Sequence, residues 1–175
     1  MTQKLKFSVD ELNKITDGRL HSPIQDVVGA DYSSVAKLAV SADTEYLFEC
    51  DGSIRNFKVL PDHITNMWNI IDSKATFEDF LNTPEIVANI QFKFDPTSAS
   101  GGLVSVHAYI NEPVPVLIKT VTVPFKGEET NVQALLTFYT GEESGYDLKN
   151  KGVIFKFEST LAGQYWDPKI EIYRT

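Results

Sequence analysis

At 175 residues, with 42% hydrophobic and 11% aromatic side chains, the chain has the composition of one globular domain rather than of a disordered segment. The 16 basic and 24 acidic residues give a net charge of −8, which argues against a nucleic-acid backbone or an anionic membrane as partner. A single cysteine, Cys50, leaves no internal disulfide and no Cys-based zinc site, and fits synthesis in a reducing cytoplasm.

Met1 is followed by Thr2-Gln3-Lys4-Leu5-Lys6 with no apolar run behind it, so no signal peptide is expected. Ser8-Val9-Asp10-Glu11 reads as a capping box: the Ser8 hydroxyl can accept the Glu11 amide while the Glu11 side chain reaches back. Leu12 and Ile15 follow at helical spacing, and Asp17-Gly18 ends the short helix. Residues 19–44 are broken by Pro23 and Gly29, and Val35–Val40 suits strand or helix equally. Residues 1–44 therefore read as a helix plus an irregular arm, and 45–175 as a β-rich body, together forming one domain.

From Glu45 the pattern sharpens. Tyr46, Phe48 and Cys50 alternate with Glu45, Leu47 and Glu49, the period of a half-buried strand. Asp51-Gly52 supplies a two-residue turn, and Arg55, Phe57 and Val59 read as the returning strand of a hairpin. Residues 62–88 read as helical and irregular, with a second capping box at Thr76-Phe77-Glu78-Asp79 and a helical turn opened by Pro84.

Strand patterns then dominate. Ile90, Phe92 and Phe94 alternate up to Asp95-Pro96, and Val104, Val106, Ala108 and Ile110 alternate with Ser105, His107 and Tyr109. Pro113-Val114-Pro115 breaks that run before a strand over Val116–Phe125, and Lys126–Glu129 is a turn. Val132, Ala134, Leu136 and Phe138 share the next face. A polar loop from Gly141 to Gly152 leads to Val153–Phe157, and Ile170–Tyr173 closes the chain. The expected fold is mainly β: an antiparallel β-sandwich or jelly-roll-like body with short N-terminal and mid-chain helices.

Catalytic signatures are sparse. His21, His63 and His107 lie far apart in sequence, so no local metal pair exists, and His107 reads as a surface residue of its strand. Glu45 and Glu49 share a strand face and are the candidate carboxylate pair of a glycoside hydrolase. Glu128-Glu129 and Glu142-Glu143 lack the spacing of a calcium loop, and Gly101-Gly102 lacks the third glycine of a phosphate cradle. No catalytic residue, metal or cofactor is assigned.

Gly163-Gln164-Tyr165-Trp166-Asp167-Pro168 is the most suggestive stretch for binding. Read as a loop at a sandwich end, it offers two aromatics beside a hydrogen-bonding amide and carboxylate, the chemistry shared by sugar recognition and protein hot spots. Gln164, Tyr165, Trp166 and Asp167 are thus the candidate binding residues. Val116-Leu117-Ile118 and Leu135-Leu136 put apolar residues on both faces of their strands, which asks for a second sheet or another subunit. The resulting expectation is a non-enzymatic structural or interaction protein, a subunit of a virion or other multimer, whose partner is itself or another protein subunit. A carbohydrate-binding module and a hydrolase are the alternatives.

Overall fold

A computed structural model of the chain describes residues 25–29, 37–50, 68–69, 71–77, 85–110, 113–139 and 148–174. These residues form eleven antiparallel strands: β1 (Gln25–Gly29), β2 (Leu38–Val40), β3 (Tyr46–Leu47), β4 (Trp68–Asn69), β5 (Lys74–Ala75), β6 (Glu85–Pro96), β7 (Gly102–Ile110), β8 (Val116–Phe125), β9 (Thr130–Tyr139), β10 (Val153–Ser159) and β11 (Gly163–Arg174). One sheet runs β1-β11-β6-β9, with β2 also paired to β11. The other runs β4-β5-β10-β7-β8, with β3 also paired to β10.

Alternation decides which side chains meet between the sheets. On β6, Ile86, Ala88, Ile90, Phe92 and Phe94 are buried; Val132, Ala134, Leu136 and Phe138 do the same on β9. Facing them, β7 buries Val104, Val106, Ala108 and Ile110, and β10 buries Val153, Phe155 and Phe157. Aromatic contacts stitch the sheets together. Phe92 of β6 and Tyr165 of β11 lie 5.0 and 4.4 Å from Phe157 of β10, and Phe138 of β9 lies 6.1 Å from Phe155. Burial of each such ring contributes roughly 1.5–3 kcal/mol.

Short segments complete the second sheet. Asp43 donates its amide to the Ser159 carbonyl at 2.7 Å and Phe48 to that of Phe155 at 2.9 Å, so residues 43–48 track along β10 on either side of β3. As expected, Phe48 and Cys50 point inward while Leu47 and Glu49 face out. The returning strand at residues 55–59 and the helix at 8–17 lie outside the described residues.

The mid-chain helical reading needs correction where residues are described; Glu78 and Asp79 of the second capping box, and the turn it would open, lie outside them. Described residues between 62 and 88 form β4, β5 and the start of β6, and Ile86 and Val87 sit in that strand rather than in a helical turn after Pro84. The cause is burial on both faces: from Ile86 to Ile90 every residue of β6 is buried, so its apolar run satisfied helix and strand templates alike. Conversely, the expected polar loop holds a single helical turn, α1 (Leu148–Lys151). Leu148 anchors it in the core, and Gly152 ends it at φ 72°, donating its amide back to the Leu148 carbonyl. A Cβ on Gly152 would also stand 2.5 Å from the Ala75 carbonyl, so glycine is required twice over.

Candidate functional site

The segment read as a binding loop is the first half of β11. Gln164 pairs across to Asp95 and Ala39, Tyr165 to Phe94 and Leu38, and Trp166 to Lys93. Tyr165 points inward and is only 3% exposed, stacked on Phe157, so it supplies core rather than surface. Gln164 is exposed, and Trp166 is half-buried on the outer face. One face of the Trp166 ring is covered by the Lys37 ammonium, 3.8 Å from its centroid, and Lys37 in turn pairs with Asp95 at 3.6 Å.

Asp167 sits in a β-bulge. Two residues separate Trp166 from Lys169 on β11, whereas one separates their partners Lys93 and Gln91 on β6. The extra residue is absorbed at Asp167, whose φ of 54° is a left-handed conformation that aspartate tolerates better than most side chains. Its carboxylate accepts from the Lys169 ammonium at 3.2 Å. On either side of the bulge the outer-face residues of three strands fall into rows: Asn131–Lys93–Trp166 before it, Gln133–Gln91–Lys169 and Leu135–Asn89–Glu171 after it. Asn89 donates to Glu171 at 2.8 Å and accepts from Gln133 at 3.1 Å, a polar ladder across the sheet. Between the first two rows and the bulge lies a shallow niche of about 130 Å³.

On the opposite sheet Glu45 is fully engaged. Tyr109 donates its hydroxyl to one carboxylate oxygen, and Lys156 donates to the other at 2.9 Å while its ammonium also lies 4.8 Å from the Tyr109 ring centre. Partial burial would raise the Glu45 pKa, but the bonds from Tyr109 and Lys156 and the charges of Lys156 and His107 outweigh it and hold the value below normal. Desolvation, then the neighbouring Glu45 and Glu158 carboxylates, push Tyr109 up to about 12, which keeps it a donor. A glycosidase acid needs the opposite shift, upward, and what the bonds of Glu45 do in the fold is tie the start of β3 to β7 and β10. Glu49 is exposed on the same face.

This tie makes an acid-side prediction. The Glu45 contribution is fully present above the ordinary glutamate value of 4.5 and is lost as pH falls through the lower folded value. Glu45→Gln is expected to cost at most about 1 kcal/mol at neutral pH, given its partial exposure, and nothing at the acid end. Urea unfolding of both proteins across pH 2–7, about neutrality and below, checks this; a constant difference between them would show that the carboxylate charge is irrelevant.

His107 is not the surface residue its strand position implied. It is 8% exposed, its Nδ1 lies 2.9 Å from Thr120 Oγ1 on β8, and its Nε2 lies 3.4 Å from the Glu158 carboxylate on β10. His21 and His63 lie outside the described residues, and among the described residues no three His, Cys, Asp or Glu side chains cluster as a metal site. Cys50 is buried.

A second surface feature is apolar. β8 and β9 are the terminal strands of their two sheets and adjoin along one flank, where Lys119 donates its ammonium to the Thr137 carbonyl at 2.9 Å. Leu117 and Tyr139, two residues beyond that contact on each strand, are 49% and 60% exposed, with Val114, Val116 and Leu135 also exposed. A register shift between Ala108 and Tyr109 leaves one extra residue, Ile118, on β8, and Val116 and Leu117 beyond it at the strand's start are both exposed.

No family model and no curated protein matches the chain. Among solved structures the chain is similar to one from the naturally occurring empty particles of the cowpea mosaic virus top component. The TM-score is 0.33 at 11% identity, with 87% of this chain and 82% of that one covered. A likeness of that depth establishes neither relationship nor role.

Proposed function

We propose that this chain is a non-enzymatic, jelly-roll-type subunit that assembles with further copies of itself through the β8–β9 flank. The strand order supports the fold reading. The chain crosses repeatedly between sheets, and its last strand returns to lie between β1 and β6, the wrapped order of a double-sheet jelly roll. Jelly rolls serve capsids and lectins alike, so fold alone does not choose between assembly and sugar binding.

The observation that carries the assembly reading is the exposed apolar flank. Val116, Leu117, Leu135 and Tyr139 present large side chains to solvent on two adjoining terminal strands, and Val114 does so just before β8. Such a grouping on an otherwise strongly acidic chain marks a contact surface. A two-fold arrangement sets the same flank of two copies against each other, so one patch serves both partners.

Sedimentation equilibrium at about 100 μM, near the range of weak homodimers, is the test. A dimer or larger species is expected, reverting to monomer in a Leu117→Glu, Tyr139→Ser variant that keeps its melting temperature within a few degrees. A wild-type monomer at that concentration refutes self-assembly, and a monomer that gains mass only with a different purified subunit moves the flank to a heterologous partner.

A further inference from the structure

We propose that the niche between β6, β9 and the β11 bulge binds the hydroxyls of a neutral saccharide. It is lined by Gln91, Lys93, Asn131, Gln133, Asp167 and Lys169, together with Phe92 and Val132, whose side chains are buried. Cross-strand register puts these groups where they are: Gln133, Gln91 and Lys169 form one wall, Asn131 and Lys93 the next. The bulge delivers Asp167 to the side.

The balance of charge selects the ligand class. Lys169 is paired with Asp167 at 3.2 Å and Lys93 with Glu129 at 3.6 Å, so the niche is close to neutral. An anion entering it must compete with a carboxylate already in place. A hydroxyl need not, because it donates and accepts at once. Among the described residues, the amides of Gln91 and Asn131 have no hydrogen-bond partner, and each offers both a donor and an acceptor edge to a ligand. Gln133 spends one N–H on Asn89 and keeps its carbonyl. The set is therefore mixed, which suits vicinal diols.

Shape and strain agree with this. The niche is well below the roughly 300–1,000 Å³ of sites that engulf a drug-sized molecule, so it takes the edge of one sugar ring. Its affinity then falls in the millimolar range, about 4 kcal/mol. The only non-glycine left-handed residue among the described residues of β11 is Asp167, and strain of this kind persists where surrounding structure holds it. Trp166 is outside the lining of the niche, and Lys37 covers one face of its ring.

The test is a titration of ¹⁵N-labelled protein with methyl glucoside, methyl galactoside and methyl mannoside to about 100 mM, followed by amide chemical shifts. Saturable shifts confined to Gln91, Lys93, Asn131, Gln133 and residues 166–169 are expected with at least one of them. Asp167→Asn, which tolerates the same backbone conformation, and Gln91→Ala should each weaken binding about tenfold while the rest of the spectrum is unchanged. Absence of shifts with all three sugars overturns the proposal, as do shifts located elsewhere. Sodium phosphate moving the same signals at lower concentration overturns it in favour of an anion site. Neither result bears on the β8–β9 flank.

Discussion

Phe157→Ala is expected to be the most damaging single truncation in the chain, lowering stability by about 3–5 kcal/mol. Its ring is 1% exposed and sits at the meeting point of both sheets and the β3 segment. Tyr46 stacks on it at 5.7 Å, Phe92 approaches at 5.0 Å and Tyr165 at 4.4 Å. Removing the ring leaves a cavity walled by three other aromatics, which are too stiff and too well seated to collapse into it, so the loss falls at the upper end of the range. A drop of roughly 10 °C or more in melting temperature should accompany it at this chain length. A change below about 1 kcal/mol would mean the two sheets do not pack through this residue.

Tyr165 and Trp166 are expected to respond oppositely to the same substitution. Tyr165→Ala removes a buried ring stacked on Phe157 and set edge-on to Phe92 at 5.1 Å, and should cost about 3–5 kcal/mol. Trp166→Ala removes a half-exposed ring whose main described partner is the Lys37 ammonium, and should cost about 1 kcal/mol. Urea unfolding of the two variants measures both. Acrylamide offers an independent check, since Trp68 is wholly buried and shielded whereas Trp166 is open to the quencher. Equal losses in the two variants would place both rings on the same side of the sheet and contradict the alternation of β11.

The inner faces of β7, β9 and β10 were legible because every second residue along them is apolar. Val132 to Phe138 and Val153 to Phe157 could be assigned an inner face from the period alone, and they bury it. β11 was harder. Gly163 and Pro168 imitate loop punctuation, yet Tyr165, Ile170 and Ile172 all point inward, with a single slip in period between them. That slip, with Pro168 inside it, is the signature of a bulge, since proline is tolerated where the ladder is already interrupted. β6 misled for a different reason: a strand covered on both faces loses its alternation, and Ile86 to Ile90 then resembles a helix start. The niche could not be read from sequence at all. Its six side chains come from three strands, and only the register brings Gln133, Gln91 and Lys169 into line. Exposure of Leu117 and Leu135 was foreshadowed by apolar residues on both strand faces, although which strands would be terminal was not.

The place of β11 has a consequence for the order in which the protein can be made. This strand lies between β6 on one side and β1 and β2 on the other. Ribosomal synthesis exposes β1, β2, β6 and β9 well before it, and none of the first two has its partner until β11 arrives. The loop that must close from β1 to β11 spans most of the chain, and closing long loops precedes any reward from the contacts they bring together. The growing chain therefore carries the open margin of β6 and its apolar inner face from the completion of β6 until β11 emerges, the condition that invites intermolecular strand pairing. β7 and β8, joined locally and already paired with each other, are free to form early, so the second sheet is the natural platform on which the nascent chain waits.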